Sequence, residues 1–215
     1  MTSIAIIDYG MGNLHSIAKA LEHVAGRQRV QVTSQKQAIL SAERVVFPGV
    51  GAIQDCMNEL CTSGLDHVIR EVAASRPLLG ICLGLQALLD ESDENDGTNC
   101  LGIIPGRVVR FPTGQLDSSS GMRLKIPHMG WNQVFRRHGH SMWGDIADGS
   151  RFYFVHSYYA VPRSATDVAA VTPYGLDFCS VVARDNVFAV QFHPEKSQHA
   201  GLQLLENFVG WSGEP

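Results

Sequence analysis

Short apolar runs alternate with amphipathic stretches through the first half of the chain, and few folds accommodate that alternation: it specifies parallel strands joined by crossover helices. Ser3–Ile7 reads as the first strand. Over residues 13–25, Leu14, Ile17, Ala18, Leu21 and Ala25 recur at helical spacing, which lays one face of a helix on the sheet. Residues 30–33, 44–47 and 78–81 read as further buried strands, and 52–61, 65–74 and 85–92 as helices. The second half changes character. Its runs at 107–111, 151–155, 168–172, 178–184 and 187–192 are β-rich and separated by turns, so they extend the sheet in a mostly antiparallel manner, and a helix over 198–209 closes it. The expectation is an α/β fold with a doubly wound, mostly parallel sheet and an antiparallel extension.

At 215 residues the chain exceeds the roughly 150 residues of a typical domain by too little to require two. A single domain over 1–215 is expected, with the polar stretch 113–121 a loop rather than a boundary. A net charge of -4 without a cluster of Lys or Arg gives no electrostatic reason to bind nucleic acid or an anionic membrane. The apolar run after Met1 is too short for a signal peptide or a membrane span, which points to the cytoplasm. Five cysteines without a CxxC pair fit neither a disulfide framework nor a zinc site, and His138-Gly139-His140 reads as an exposed turn rather than a metal clip. No metal or cofactor is expected, and the ligand should be a small molecule or another protein.

The most informative segment is Leu78-Leu79-Gly80-Ile81-Cys82-Leu83-Gly84-Leu85-Gln86, where a buried strand ends in G-x-C-x-G and a helix begins. It parallels the G-x-S-x-G elbow, whose glycines permit a tight strand-to-helix turn that exposes a nucleophile. The positive end of the following helix favours an anionic sulfur at Cys82. Taken alone, the pentapeptide is equally compatible with a structural cysteine between packing glycines. Val190-Gln191-Phe192-His193-Pro194-Glu195 changes that balance, because a thiol nucleophile needs a base and the base needs an orienting group. His193 and Glu195 supply both if the segment is extended, since residues two apart then point the same way. Phe47-Pro48-Gly49-Val50-Gly51, after another apolar strand, is a candidate oxyanion hole, although it also reads as a plain strand-to-helix turn. Gly10-Met11-Gly12-Asn13-Leu14-His15 starts like a dinucleotide fingerprint but has His15 in place of the third glycine, and Thr33-Ser34 stand where an acid should end the second strand. NAD is therefore not expected.

G-x-C-x-G-x-Q, the Cys…His-Pro-Glu order and the PGVG turn resemble the class I, or triad, glutamine amidotransferases, whose fold is flavodoxin-like. Within that family, Ile7-Asp8-Tyr9-Gly10-Met11-Gly12-Asn13, Pro127-His128-Met129-Gly130-Trp131-Asn132, Tyr153-Phe154-Val155-His156-Ser157-Tyr158 and Gln191-Phe192-His193-Pro194-Glu195-Lys196-Ser197 are similar to the branch that serves imidazole glycerol phosphate synthases. Leu85 stands before the motif glutamine, where the anthranilate and GMP synthase branches usually have His. The GGES motif of the pyridoxal phosphate branch is absent. Cys100 departs from a position where the family more often has Gly, and no chemistry is attached to it.

The resemblance implies that Cys82, His193 and Glu195 form a catalytic triad. It further implies that Gly49, Val50, Gly51, Leu83, Gln86, Ser157 and Tyr158 bind glutamine or its oxyanion, where composition alone would make Tyr158 a packed aromatic. It also implies a heterodimer with a cyclase subunit, a (β/α)8 barrel, contacted through Asn13, Met129 and Trp131. An apolar Met-Gly-Trp would otherwise read as a core strand. Two rivals stand beside this reading: a glutamine-binding regulatory subunit without turnover, and a glutaminase serving a different synthase.

Overall fold

The computed structural model describes residues 3–116 and 121–214, so part of the loop expected over 113–121 lies outside the described residues. In chain order the strands are β1 (Ser3–Ile7), β2 (Arg29–Thr33), β3 (Arg44–Gly49), β4 (Leu78–Cys82), β5 (Glu91–Ser92), β6 (Thr98–Asn99), β7 (Gly106–Arg110), β8 (His128–Gln133), β9 (Phe135–Arg136), β10 (Arg151–His156), β11 (Tyr158–Pro162), β12 (Val168–Pro173), β13 (Asp177–Arg184) and β14 (Val187–Val190). The helices are α1 (Leu14–Val24), α2 (Lys36–Ser41), α3 (Ile53–Ser63), α4 (Leu65–Ala73), α5 (Leu83–Ala87) and α6 (Gln198–Gly210).

The sheet runs β2-β1-β3-β4-β14 with every neighbour parallel, then continues through antiparallel β13 and β11 to β7, β5 and β6. Its first five strands have the flavodoxin-like order, in which ligands bind beyond the carboxyl ends of the strands where the winding reverses. β4 is buried along its whole length, as a central strand covered on both faces must be. Ile17 and Leu21 of α1 and Leu204, Leu205 and Phe208 of α6 belong to the core on one face, while Ile39, Leu60 and Ile69 of α2, α3 and α4 belong to the core on the other. β8 and β10 form a separate antiparallel ribbon, and Phe152 and Phe154 anchor it in the α1–α6 core.

Two expectations need correction, one in each half of the chain. The helix expected over 85–92 starts earlier and stops at Ala87, and Glu91–Ser92 is a short strand instead. The returning segment explains this: Leu101 N donates to the Ala87 carbonyl at 2.8 Å, Ile103 and Ile104 N to that of Leu88 at 2.9 Å, and Gly102 N to that of Leu89 at 2.7 Å. These carbonyls are capped by a loop rather than by another helical turn. The strand expected to reach Phe192 ends at Val190, beyond which the chain turns into the site.

Candidate active site

Because β1, β3, β4 and β14 run parallel and side by side, the turns that follow them meet beyond the carboxyl ends of these strands. Cys82, at the end of β4, has φ 54° and ψ -106°, a left-handed backbone that a side-chain-bearing residue adopts only under strain. Neighbouring glycines make the turn possible. A Cβ at Gly84 would collide with the Phe47 carbonyl oxygen, and one at Gly80 would lie 2.9 Å from the Ala189 Cβ. At Gly49, a Cβ would lie 2.9 Å from the Leu83 Cβ and strike the Tyr9 hydroxyl.

His193 and Glu195 follow β14. The extended geometry expected to align them is not what does so: Pro194–Lys196 is a single 3-10 turn, with His193 just before it. That turn still sets Nδ1 of His193 2.9 Å from Oε1 of Glu195, with the two side chains only 3% and 4% exposed. Nε2 is left without a hydrogen-bond partner among the described protein groups, beside Cys82. Burial alone would pull the His193 pKa below 6.5. The charges of Cys82 and Glu195, with the hydrogen bond to Glu195, outweigh it and raise the value to about 10, so the imidazolium is the favoured form.

Cys82 and His193 open onto a cavity of about 320 Å³ that Val50, Gly51, Leu83, Gln86, Ser157 and Tyr158 also line. Gly49 and Asn13 lie behind them, around a small void against His193 and Glu195, and Asn13 caps α1 by accepting from Ser16 N. Met129 and Trp131 are not part of this cavity. They point outward from β8 with 63% and 41% exposure, which is not the core placement that an apolar strand would suggest.

The sequence reading did not single out three other groups here. Among the described residues Glu94 is the one carboxylate of the cavity lining, and its Oε2 accepts from Ile53 N at the start of α3. Gln191 is fully buried and lies against the Cys82 sulfur; a lone polar residue within the apolar run Val187 to Phe192 was the available signal. The third is a pair of buried histidines. The Tyr158 carbonyl can only accept, so His156 Nδ1, 2.8 Å away, donates to it. Burial pushes the His156 pKa down to about 3 and that of His128 to about 4, which keeps both rings neutral. His156 Nε2 therefore accepts from His128 Nδ1 at 3.0 Å, and His128 Nε2 accepts from Asn132 Nδ2 at 3.3 Å. This chain ties β8 to the wall of the cavity.

The chain belongs to the class I glutamine amidotransferase family, whose model, described as glutamine amidotransferase class-I, matches residues 5–210. A protein of Nitrosococcus oceani named imidazole glycerol phosphate synthase subunit HisH is 59% identical over 213 residues, covering 99% of each chain. A protein of Methylococcus capsulatus with the same name is 60% identical over 212 residues, covering 98% of this chain and 97% of its own. Among solved structures, PurLQS from Thermotoga maritima superposes with a TM-score of 0.70 at 14% identity, over 97% of this chain and 98% of its own. A putative GMP synthase subunit from Thermoplasma acidophilum gives 0.69 at 19% identity, over 98% and 93%. At such identities these two speak for the fold alone. No helix among the described residues is long and apolar enough to cross a membrane.

Proposed function

We infer that this chain is the glutaminase subunit of an imidazole glycerol phosphate synthase, a single amidotransferase domain that releases ammonia from glutamine for a cyclase partner in histidine biosynthesis. The observation that carries the chemistry is a cysteine on a strained strand-to-helix turn beside a buried His–Glu pair at 2.9 Å. The near-full-length identity to subunits named for that synthase supports the pathway.

The Cys82 thiolate attacks the side-chain amide carbon of glutamine, and backbone N–H groups near Gly51 and Leu83 hold the oxyanion. His193 protonates the departing nitrogen, so ammonia leaves and a thioester remains on Cys82. The neutral His193 then takes a proton from water, whose oxygen adds to the thioester carbon; the sulfur departs, and glutamate is released. Glu195 fixes the ring through Nδ1 and stabilises its positive charge. Gln86, Ser157 and Tyr158 hold the substrate, and Glu94 supplies the negative charge that suits its α-ammonium. In the cytoplasm the chain pairs as a heterodimer with a (β/α)8 cyclase, through Asn13, Met129 and Trp131. The partner converts its phosphoribulosyl substrate and the ammonia into imidazole glycerol phosphate and aminoimidazole carboxamide ribotide.

The test is reconstitution with the cyclase subunit, comparing ring closure driven by glutamine with that driven by added ammonium. Both nitrogen sources should work. A complex that closes the ring with ammonium but releases no glutamate from glutamine would make this chain a binding subunit without turnover.

A further inference from the structure

We propose that Gln191 is a positioning residue for the nucleophile, its side-chain N–H directed at the Cys82 sulfur and its carbonyl tied to Gln86. The inference deepens the proposed function and rests on Cys82 being the nucleophile. Gln191 is fully buried just after β14, among apolar neighbours that include Val190 and Phe192. A desolvated amide in such surroundings is costly unless both its ends are hydrogen-bonded. Its Nε2 lies 3.6 Å from Cys82 Sγ, and its Oε1 lies 3.1 Å from Gln86 Nε2.

The surrounding groups fix which end of the amide is which. Gln86 Nε2 lies 3.1 Å from the Tyr158 carbonyl, which can only accept, so this end of Gln86 must be its NH2. The second hydrogen of that NH2 then needs an acceptor. Oε1 of Gln191 is the acceptor within reach, which turns the NH2 of Gln191 toward the sulfur. Reversing Gln191 would set two NH2 groups against each other and point a lone pair at a thiolate. The Tyr158 carbonyl thus dictates, through two amides, that a donor faces Cys82. A donor held there stabilises negative charge on sulfur and limits its side-chain rotation. It also makes the orientation of the nucleophile depend on that of Gln86, which the proposed function assigns to substrate binding.

The ionisable groups acting on the sulfur are His193 and Tyr9, with Glu195 behind His193. None is altered in Gln191→Met, which removes the amide at similar length, or in Gln191→Glu, which keeps an acceptor for Gln86 and turns an oxygen toward the sulfur. The experiment is the pH profile of Cys82 alkylation by iodoacetamide in the full chain, read by mass spectrometry beside thermal melts. Relative to wild type, the midpoint should rise by about one pH unit in Gln191→Met and further in Gln191→Glu. A purely structural role would lower the melting temperature and leave the midpoint unmoved. Unchanged midpoints in both variants overturn the proposal. Should neither variant fold, the wild-type Gln191 side-chain amide proton is followed by NMR: it should shift as Cys82 titrates and lose that titration in Cys82→Ala, and a resonance indifferent to both overturns the proposal. Failure of the underlying reading looks different, because wild-type Cys82 would then show no alkylation in excess of the exposed Cys61.

Discussion

Replacing Glu195 with Gln separates charge from orientation at the His193 ring. The wild-type contact is a 2.9 Å hydrogen bond between side chains almost wholly excluded from water. The amide can still present an oxygen to Nδ1, because Oε2 of Glu195 has no hydrogen-bond partner among the described protein groups that would impose the opposite orientation. What is lost is the difference between a charge-assisted hydrogen bond, about 1.5–3 kcal/mol, and a neutral one, about 0.5–1.5 kcal/mol. That difference of about 1–2 kcal/mol lowers the His193 pKa from about 10 by about one unit. It slows glutamine turnover roughly 5- to 30-fold if the imidazolium of the transition state bears the whole loss. His193→Ala, which removes proton transfer itself, should cost about 10²- to 10⁴-fold. Glutaminase rates of both variants in complex with the cyclase, with the His193 midpoint followed by NMR, decide the matter. A folded Glu195→Gln protein as inactive as His193→Ala would refute the reasoning and show that Glu195 does more than orient and stabilise the ring.

Gly84→Ala forces a methyl group onto the Phe47 carbonyl oxygen, so β3 must shift; a loss of about 3 kcal/mol is expected in urea unfolding, and unchanged stability would contradict the packing described here. Trp131→Ala should weaken cyclase binding by about 2 kcal/mol, near 30-fold, with little change in melting temperature; a lower Tm with unchanged affinity would return Trp131 to a core role. His128 and His156, with pKa values lowered to about 4 and 3, should stay unprotonated in NMR titrations down to pH 5. Their folded values lie below the unfolded value near 6.5, so the associated stability is intact above pH 6.5 and declines as the pH falls toward 4; a midpoint near 6.5 for either ring would break the assigned hydrogen-bond directions.

The parallel half of the sheet was legible because its apolar runs and helical periodicities are long; Ser3–Ile7 and the flanking helix α1 fall where the spacing puts them. Elements defined by pairing rather than by pattern were not. The two-residue strands β5, β6 and β9 exist only against their partners, and α2 is six residues long without a side-chain cap. The early end of α5 depends on the loop over 101–104 reaching its carbonyls, a contact invisible in local sequence. At the site, glycine spacing and chain order pointed to Cys82, His193 and Glu195, although a 3-10 turn rather than an extended segment joins the last two. Gln191 and the His128–His156 pair escaped notice because their roles depend on partners 28 to 109 residues away.

The proposed mechanism requires that Cys82, and no other thiol, attack glutamine. A chloroketone or diazoketone analogue of glutamine is the probe, with adducts located by peptide mass spectrometry on the chain in complex with the proposed cyclase subunit. Cys61 is exposed and serves as an internal control for indiscriminate reactivity, while Cys82 is buried at the cavity. One adduct is expected, on Cys82, with glutamine-driven synthesis lost and ammonium-driven synthesis retained. An adduct on Cys61 with Cys82 unmodified, or full modification of Cys82 with glutamine turnover intact, would contradict it.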